Sequence, residues 1–305
     1  MGADRGRKAS DRECAGAKMP DCPRRFPHPM TDRYAVIGNP IAQSKSPQIH
    51  SAFAQASGQA IEYTRILAPV GGFADAVDTF RAEGGRGLNI TAPFKLDAFA
   101  YATDLAPSAQ MAGAVNAMKF EGGRVYAENF DGVGLVRDVV HNLGCPIQGQ
   151  RVLVLGAGGA TRGALLPLLA ERPSELVIVN RTVAKAEELA TLVRQQAGSI
   201  PVRGIGYAEL TGQAFDVVFN ATSSSLSAEL PPLPALVFAP GALAYDLTYG
   251  KGLTPFLRLA QQAGVARLHD GVGMLAEQAA EAFAWWRGVR PDTQAVIQQL
   301  TVPLL

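Results

Sequence analysis

The sequence predicts an α/β protein with two domains, an N-terminal α/β substrate domain and a doubly wound Rossmann domain for a dinucleotide. Short apolar runs alternate with helical patterns over residues 34–131, and the alternation restarts near residue 151. A glycine-rich turn directly follows the apolar run at 152–155. The segment 89–95 places an amide, a hydroxyl and an ammonium at the end of another apolar run, where open parallel sheets collect ligands.

The N-terminal elements follow from their patterns and their boundary residues. Ser46 is a candidate N-cap and Pro47 fits a first helical turn, so a helix is expected from residue 47. Paired glycines at 84–85 end the second helix, and Gly122-Gly123 predicts a hairpin turn. The predicted strands are 34–38, 61–67, 88–91, 114–120 and 124–129, and the predicted helices are 47–57, 73–83 and 95–103.

The C-terminal half predicts the β-α alternation of a parallel sheet. The last helix follows the segment Asp270–Gly273, and we expect it to return to the first domain. The predicted strands are 152–155, 176–179, 215–220, 243–248 and 265–269, and the predicted helices are 132–143, the segment ending at 170, 183–196 and 274–287. The expected domains are residues 31–131 with 270–305 for substrate, and 132–269 for the dinucleotide.

Composition excludes several classes of protein. The chain has 28 Lys plus Arg against 27 Asp plus Glu, so nothing favours nucleic acid or an anionic membrane as a partner. It holds no run of 18 apolar residues, so we expect no membrane span. Its 3 cysteines and 4 histidines show no metal-ligand spacing, and this cysteine usage favours a reduced, cytoplasmic protein.

The first 30 residues differ from the rest of the chain. They are rich in arginine and show almost no apolar periodicity, so they cannot bury enough surface to offset the entropy of ordering. They lack the apolar block of a secretory signal, and their acidic residues are atypical of a transit peptide. We expect a disordered extension, with the folded protein beginning near Met30.

The glycine-rich segment 156–163 is the candidate dinucleotide site. Gly156 allows a tight turn, and Gly158 lets backbone N–H groups approach a pyrophosphate at the positive end of a helix. Thr161 occupies the third glycine position of the usual pattern, so a plain turn is the alternative interpretation. The predicted cofactor contacts here are Gly156, Gly158, Gly159 and Ala160.

The residues that follow the predicted strand 176–179 favour NADP over NAD as the cofactor. An acidic residue usually binds the ribose 2′-hydroxyl of NAD at this position, and this chain has none. Arg181 can bind a phosphate as a fork, and Lys185 lies one helical turn further on. The alternative is that these two cations are merely solvent-exposed residues at the start of a helix and bind no ligand, although the helix dipole disfavours positive charge at that end. The predicted contacts are Asn180, Arg181, Thr182 and Lys185.

Taken together, the motifs resemble those of the shikimate dehydrogenase family over essentially all of Tyr34 to Gly288. Their number and their order along the chain make the resemblance far more specific than a glycine pattern. The matching segments are Gly38–Pro47, Asn89–Lys95, Gly113–Asn116, Asn129–Gly132, Gly156–Gly163, Asn180–Thr182, Asn220–Ser223, Tyr249–Pro255 and Asp270–Leu275.

The resemblance implies NADP-linked, reversible reduction of 3-dehydroshikimate to shikimate, on the route to chorismate and the aromatic amino acids. Lys95 and Asp131 would form the catalytic pair, with the ammonium donating a proton to the substrate oxygen. The implied substrate contacts are Ser44, Ser46 and Tyr249 for the carboxylate, and Thr91, Asn116, Asp131 and Gln278 for the ring hydroxyls. The further cofactor contacts are Asn220, Thr222 and Gly271. A monomer or homodimer is expected.

Other interpretations stay open at this point. Lys95 and Asp131 form a purely structural ion pair in one of them, and the two serines only cap a helix in another. Rival functions are a quinate/shikimate dehydrogenase and a catalytically silent NADP-binding regulator of the same fold. The chain departs from the family pattern at Ala92, Phe130 and Ser224-Ser225, and Phe130 is a candidate to fill space left by Ala92.

Overall fold

The computed structural model describes residues 31–222 and 232–304. The predicted extension 1–30 and the departures at Ser224 and Ser225 therefore lie outside the described residues. Residues from Thr31 onward form one compact unit. Among the described residues, no helix combines the length and the apolar character that a bilayer crossing requires.

The first half of this unit builds a mixed sheet on the pattern predicted above. Strand order is β2-β1-β3-β5-β6-β4, and β1 runs parallel to both of its neighbours. The hairpin β5–β6 is antiparallel, as its Gly-Gly turn predicts. The elements are β1 (Asp32–Gly38), α1 (Ser46–Ser57), β2 (Ile61–Leu67), α2 (Phe73–Ala82), β3 (Gly85–Ile90), α3 (Lys95–Tyr101), β4 (Asp104–Leu105), α4 (Pro107–Ala112), β5 (Ala117–Glu121) and β6 (Arg124–Glu128).

The second sheet is parallel throughout its described strands, in the order β12-β11-β10-β7-β8-β9. This is the doubly wound order of dinucleotide-binding sheets, so the predicted fold class is confirmed. The elements are α5 (Asp131–Arg137), β7 (Arg151–Leu155), α6 (Gly159–Ala170), β8 (Glu175–Val179), α7 (Val183–Ala197), β9 (Val202–Ile205), β10 (Phe215–Asn220), β11 (Phe238–Asp246), α8 (Pro255–Gln262), β12 (Arg267–Asp270), α9 (Val272–Arg287) and α10 (Gln294–Leu300).

Both faces of the second sheet are covered, which explains why its strands are continuous apolar runs. Along β7, Val152 and Val154 pack into a core cluster on one face. Leu153 and Leu155 pack into a second cluster on the opposite face. Alternate residues of β7 are therefore buried on opposite faces of the sheet, so the glycine turn starts from a fixed strand end.

Helix α9 packs against the first sheet, as predicted for the last long helix. Trp286 donates its indole N–H to the carbonyl of Met118 at 3.0 Å and stacks on Tyr34 with ring centroids 4.7 Å apart. Phe283 packs edge-on against Phe53 of α1. These buried aromatic contacts fix the helix that carries Gln278.

Helices α5 and α6 approach each other at a glycine crossing. A Cβ added at Gly132 would lie 2.3 Å from the carbonyl oxygen of Gly163, so only glycine permits this distance. Arg162 donates from Nε to the carbonyl of Met111 at 2.6 Å. The helix after the glycine turn is thereby attached to the end of α4, beside the first sheet.

Several local predictions need correction. Ser46 is not an N-cap: helix α1 starts at Ser46, and Ser44 Oγ instead accepts the Ser46 N–H at 3.3 Å. The helix expected over 132–143 changes to a π-helical turn at Asp138–Asn142. The expected helix 95–103 ends at Tyr101, because Thr103 turns to bond with Val125. Strands β4 and β9 and helices α4 and α10 were not predicted.

Candidate functional site

A cavity of about 170 Å³ opens at the carboxyl ends of β1 and β3. Strand ends of the first sheet meet the start of α9 and the loop after β11 there, so distant parts of the sequence share one wall. All eight residues predicted to bind substrate line it. The lining is Val36, Ser44, Ser46, Asn89, Ile90, Thr91, Lys95, Asn116, Asp131, Leu247, Tyr249, Gly271, Met274, Leu275 and Gln278.

Lys95 and Asp131 form an ion pair in this cavity, with Nζ 2.5 Å from Oδ2. Each residue begins a helix, α3 and α5 respectively, so both are set at the first turn of a rigid element. The lysine side chain is 35% exposed and the aspartate 16% exposed, so the ammonium faces the open part of the cavity. The pair can supply a proton and hold a hydroxyl without further rearrangement.

Two asparagines fix the position of Asp131. Asn116 is almost fully buried and donates from Nδ2 to Asp131 Oδ1 at 2.8 Å, while its Oδ1 accepts the Phe130 N–H at 2.9 Å. Asn129 accepts the Asp131 N–H at 3.1 Å and donates to the Ala114 carbonyl. Asn116 thus acts as more than a turn residue, because its amide orientation is set by two partners.

Asn89 is a cavity residue that the predicted substrate set missed. Its Oδ1 accepts from the Tyr63 hydroxyl at 2.6 Å, and its Nδ2 lies 3.4 Å from the Asn116 carbonyl. The spacing to Thr91 could have revealed it, since residues two apart on a strand share a face. Behind Tyr63 lies His50, stacked on its ring at 4.3 Å. His50 is fully buried and is therefore a core residue.

Further hydroxyl and amide groups line the cavity. Ser44 Oγ lies 3.3 Å from Ser46 Oγ, so the two hydroxyls are adjacent. Gln278 accepts from Asn116 Nδ2 at 3.3 Å through Oε1, and donates from Nε2 to the Leu275 carbonyl. Gln278 is thus directed toward the cavity from α9, rather than lying on the surface. Tyr249 is 41% exposed and lies on the loop after β11.

The glycine turn after β7 presents open backbone at the start of α6. Gly156 has φ +99°, a conformation that favours glycine, and a Cβ there would crowd Thr222 and Ala221. A Cβ at Gly158 or Gly159 would meet nothing within 4 Å, so the space before the helix is free. Thr161 is fully buried and donates to the Gly156 carbonyl at 2.8 Å. Its hydroxyl closes the turn, which explains a threonine at that position.

Cations follow the next strand end. Asn180 donates from Nδ2 to the Thr182 carbonyl at 2.9 Å, which shapes the loop between β8 and α7. Arg181 and Lys185 are exposed, and neither forms an ion pair within residues 31–222 and 232–304. A negatively charged group could therefore bind both without displacing an existing partner.

Polar residues on the neighbouring strand ends complete this edge of the second sheet. Asn220 is buried at the end of β10 and accepts from the Thr222 hydroxyl at 2.6 Å. Gly271 lines the cavity at the start of α9, where a Cβ would lie 2.3 Å from the Leu247 carbonyl oxygen. Phe130 packs edge-on against Trp285, and Ala92 is exposed. Among the described residues, no cluster of metal-ligating side chains occurs.

Three family models match the chain. The shikimate dehydrogenase substrate-binding domain matches residues 36–118, the shikimate/quinate 5-dehydrogenase model matches 138–228, and the shikimate 5′-dehydrogenase C-terminal domain matches 271–301. The models therefore match in chain order across both sheets and helix α9.

Individual relatives agree with the family models. The Chromobacterium violaceum protein named shikimate dehydrogenase (NADP(+)) is 56% identical over 271 residues, covering 89% of this chain and 98% of that protein. The crystal structure of an enzyme named Ael1 from Pseudomonas putida is 62% identical, covers 90% of this chain and 100% of that chain, and superposes with a TM-score of 0.86.

A shikimate 5-dehydrogenase from Thermus thermophilus, solved in complex with NADP(H) and shikimate, is 31% identical with a TM-score of 0.76. It matches 88% of this chain and 98% of its own length. These identities hold across nearly the whole length of each relative, so the match extends beyond a shared dinucleotide-binding sheet. The chain belongs to the shikimate dehydrogenase family.

Proposed function

We propose that this protein catalyses the NADP-dependent, reversible reduction of 3-dehydroshikimate to shikimate, in the biosynthesis of chorismate and aromatic amino acids. The observation that carries the proposal is the Lys95–Asp131 ion pair, held at 2.5 Å in a polar cavity at the strand ends. The name and 56% identity of the Chromobacterium relative support the same activity. A ketone-reducing site needs a proton donor near the carbonyl, and this pair provides one.

In the direction of reduction, Lys95 donates a proton from Nζ to the oxygen of the substrate carbonyl. The ammonium also stabilises the negative charge that develops on that oxygen before the proton arrives. Asp131 holds the ammonium through Oδ2 and is itself held by Asn116 through Oδ1. In the reverse direction the neutral amine of Lys95 accepts the proton of the substrate hydroxyl. The same hydrogen bonds of Asp131 and Asn116 then hold the ammonium in place.

The residues of the second sheet fit NADP. The open backbone at Gly158 and Gly159 leaves room for a pyrophosphate at the start of α6. Arg181 and Lys185, which form no ion pair in the described part of the chain, suit a 2′-phosphate. When bound, NADP supplies or accepts the hydride. The remaining proposed contacts of the cofactor are Ala160, Asn180, Thr182, Asn220, Thr222 and Gly271.

Shikimate carries a carboxylate at one end of its ring and hydroxyls at the other. We assign Ser44, Ser46 and Tyr249 to the carboxylate, because all three line the cavity and present hydroxyl donors. We assign the ring hydroxyls to a second group, in which the amides and the threonine hydroxyl both donate and accept and the Asp131 carboxylate accepts. That group is Thr91, Asn116, Asp131 and Gln278.

Two rivals make different predictions. A quinate dehydrogenase of this fold would oxidise quinate and could use NAD, but the absent acidic residue near Asn180 disfavours NAD. A silent NADP-binding regulator would not need the Lys95–Asp131 pair, which is intact. We further propose that residues 31–131 with 270–305 bind substrate and 132–269 bind NADP, in a cytoplasmic monomer or homodimer.

The decisive experiment is a substrate panel. The purified protein is given shikimate or quinate with either NADP or NAD, and formation of the reduced nicotinamide is followed by its near-ultraviolet absorbance. We expect fast turnover with shikimate and NADP, and weak turnover in the other three combinations. Preference for quinate would favour the first rival, and binding of NADP without any turnover would favour the second.

A further inference from the structure

A second, larger cavity adjoins the substrate cavity. Its volume is about 700 Å³, and the two cavities share the side chains of Leu247, Tyr249 and Leu275 as a common wall. It is bounded by the start of α1 with the loop before it, by the loop after β11, by the start of α9, and by residues 299–302 at the end of α10. We call this second cavity the vestibule. Tyr249 lines both cavities, and the vestibule residue Lys45 lies between Ser44 and Ser46 in the sequence.

The charges of the two cavities differ. In the substrate cavity the ionised side chains Lys95 and Asp131 offset each other, so no net positive charge there balances a carboxylate. The vestibule is lined by two exposed lysines, Lys45 and Lys251, and by no acidic side chain among the described residues. Neither lysine forms an ion pair in the described part of the chain.

Three neighbouring charged groups modify this field. The buried Asp246 accepts the N–H of the vestibule residue Thr248 at 3.0 Å, which adds negative potential behind the loop after β11. Asp270 accepts the Gly250 N–H at 3.0 Å and so lies beneath the loop of Lys251, where it offsets part of that lysine's charge. Arg65 donates to the Ser44 carbonyl at 2.7 Å, which adds positive potential behind the serine loop. When Lys45 is counted together with Lys251 and Arg65, the net charge around the vestibule remains positive. This positive excess adjoins the three hydroxyl residues, since Lys45 lies between Ser44 and Ser46 in the sequence and Tyr249 lines both cavities.

We propose that Lys45 and Lys251 recruit the substrate carboxylate into the vestibule and direct it toward Ser44, Ser46 and Tyr249. This inference rests on the proposed function, since it requires a small carboxylate substrate. Surface cations around a cleft raise the local concentration of an anionic ligand, and the effect is screened by salt. The lysines thus set substrate capture, whereas the chemical step stays with the Lys95–Asp131 pair.

The size of the effect follows from Coulomb attraction in a nearly aqueous setting. Each lysine is expected to raise kcat/KM for shikimate about two- to threefold at low ionic strength, and the two together about four- to ninefold. The gain falls away as the Debye length shrinks to about 3 Å near 1 M salt. kcat should not change, because neither lysine contacts the ion pair or the cofactor turn.

The test compares Lys45→Gln, Lys251→Gln and the double variant with the unmodified protein, at saturating NADP and over a range of NaCl concentrations. Lys119→Gln is the matched control: it removes the same charge from β5, where Lys119 pairs with Glu121 at 2.9 Å outside both cavities. The double variant should show a higher KM for shikimate at low salt, an unchanged kcat, and a flatter dependence of kcat/KM on salt. The control should behave like the unmodified protein.

A double variant with the salt dependence of the unmodified protein would overturn the proposal, as would an equal effect of Lys119→Gln.

The methyl ester of shikimate gives a second measurement as a competitive inhibitor, because it has no charged carboxylate. Its inhibition constant should be the same for all the variants and the unmodified protein, and a loss of inhibition that parallels the loss with shikimate would argue against recruitment by charge. Absence of turnover in the unmodified protein would instead refute the proposed function.

Discussion

Lys95 and Asp131 are 36 positions apart in sequence, yet Nζ of the first lies 2.5 Å from Oδ2 of the second. The other oxygen of Asp131 is occupied by Asn116, so the carboxylate has one oxygen for the ammonium and one for its support. This division assigns separate roles. In the proposed mechanism, Lys95 moves the proton and Asp131 positions the ammonium.

Replacing Lys95 by Ala should lower kcat by about 10²- to 10⁴-fold, the usual loss when a general acid is removed. The side chain is 35% exposed, so folding should be little affected. Steady-state turnover of shikimate with NADP, together with thermal unfolding, separates the two effects. A variant with near-normal kcat would remove Lys95 from the proton transfer.

Asp131→Asn tests the other member of the ion pair. It retains the shape of the side chain but removes the charge, and the new amide could face Asn116 or Lys95 with a donor where an acceptor is needed. We expect a fall in kcat and a rise in KM for shikimate, because Asp131 both orients Lys95 and lies in the substrate cavity. A change in KM alone would indicate that Asp131 binds substrate without helping the lysine.

The pair was predicted because the motifs that contain Lys95 and Asp131 resemble those of the shikimate dehydrogenase family. Segment 89–95 runs from the end of β3 to the start of α3, and Asp131 starts α5 after β6. The hydrogen bonds that hold the pair in position could not be predicted from the sequence. Asn116 and Gln278 meet although 162 positions apart, and such contacts depend on packing that no local pattern encodes.

Short elements were the other gap in the prediction. Strand β4 has two residues and β9 has four, too few for an alternation to be recognised. The N-cap assigned to Ser46 was wrong because the sequence offers two serines, and the hydrogen bond formed by Ser44 could be assigned only from coordinates. Long apolar runs such as β7 and β8 were placed correctly, since burial on both faces leaves a strong signal.

Cofactor preference should depend on the exposed cations after β8. Arg181→Leu is expected to raise KM for NADP about tenfold or more, because a charge-assisted contact to the 2′-phosphate is lost. KM for NAD should change little, since that cofactor has a hydroxyl in place of the phosphate. Steady-state kinetics with each cofactor give the ratio directly. An equal effect on both cofactors would mean that Arg181 does not distinguish them.

The glycine crossing between α5 and α6 allows a matched comparison of two glycines. Gly132→Ala should destabilise the fold by at least about 2 kcal/mol, because its Cβ would lie 2.3 Å from a backbone oxygen that cannot move freely. Gly159→Ala should fold normally, since nothing lies within 4 Å of the added atom. Urea unfolding of both variants measures the difference.

The same Gly159→Ala variant has a second expected result. The added methyl group occupies the free space at the start of α6, where we place the pyrophosphate, so KM for NADP should rise while the free energy of unfolding stays unchanged. Equal stability losses in Gly132→Ala and Gly159→Ala would contradict the close approach of the two helices. Normal NADP binding by Gly159→Ala would move the pyrophosphate away from that turn.

His50 predicts how the stability of the protein responds to acid. Burial lowers the pKa of His50 from 6.5 to about 3, and the nearby Asn89 amide offsets part of that shift. Neither ring nitrogen has a hydrogen-bond partner in the described regions, and the ring stacks on Tyr63 at 4.3 Å. The native state therefore holds the neutral imidazole, whereas the unfolded chain takes up a proton once the pH falls below 6.5.

Because the folded pKa is the lower one, the stabilising contribution is complete above pH 6.5 and is lost as the pH falls toward 3. The limiting slope is about 1.4 kcal/mol per pH unit, the value for one extra proton bound by the unfolded state. His50→Phe should keep the stack on Tyr63, be at least as stable at about pH 7, and lose less stability between about pH 6.5 and 4.5. Urea unfolding of both proteins at about pH 7, 6 and 5 gives the difference, in which the carboxylates common to both cancel. Parallel pH curves would show that His50 is protonated in the folded protein, and its burial among aromatic rings would then need another explanation.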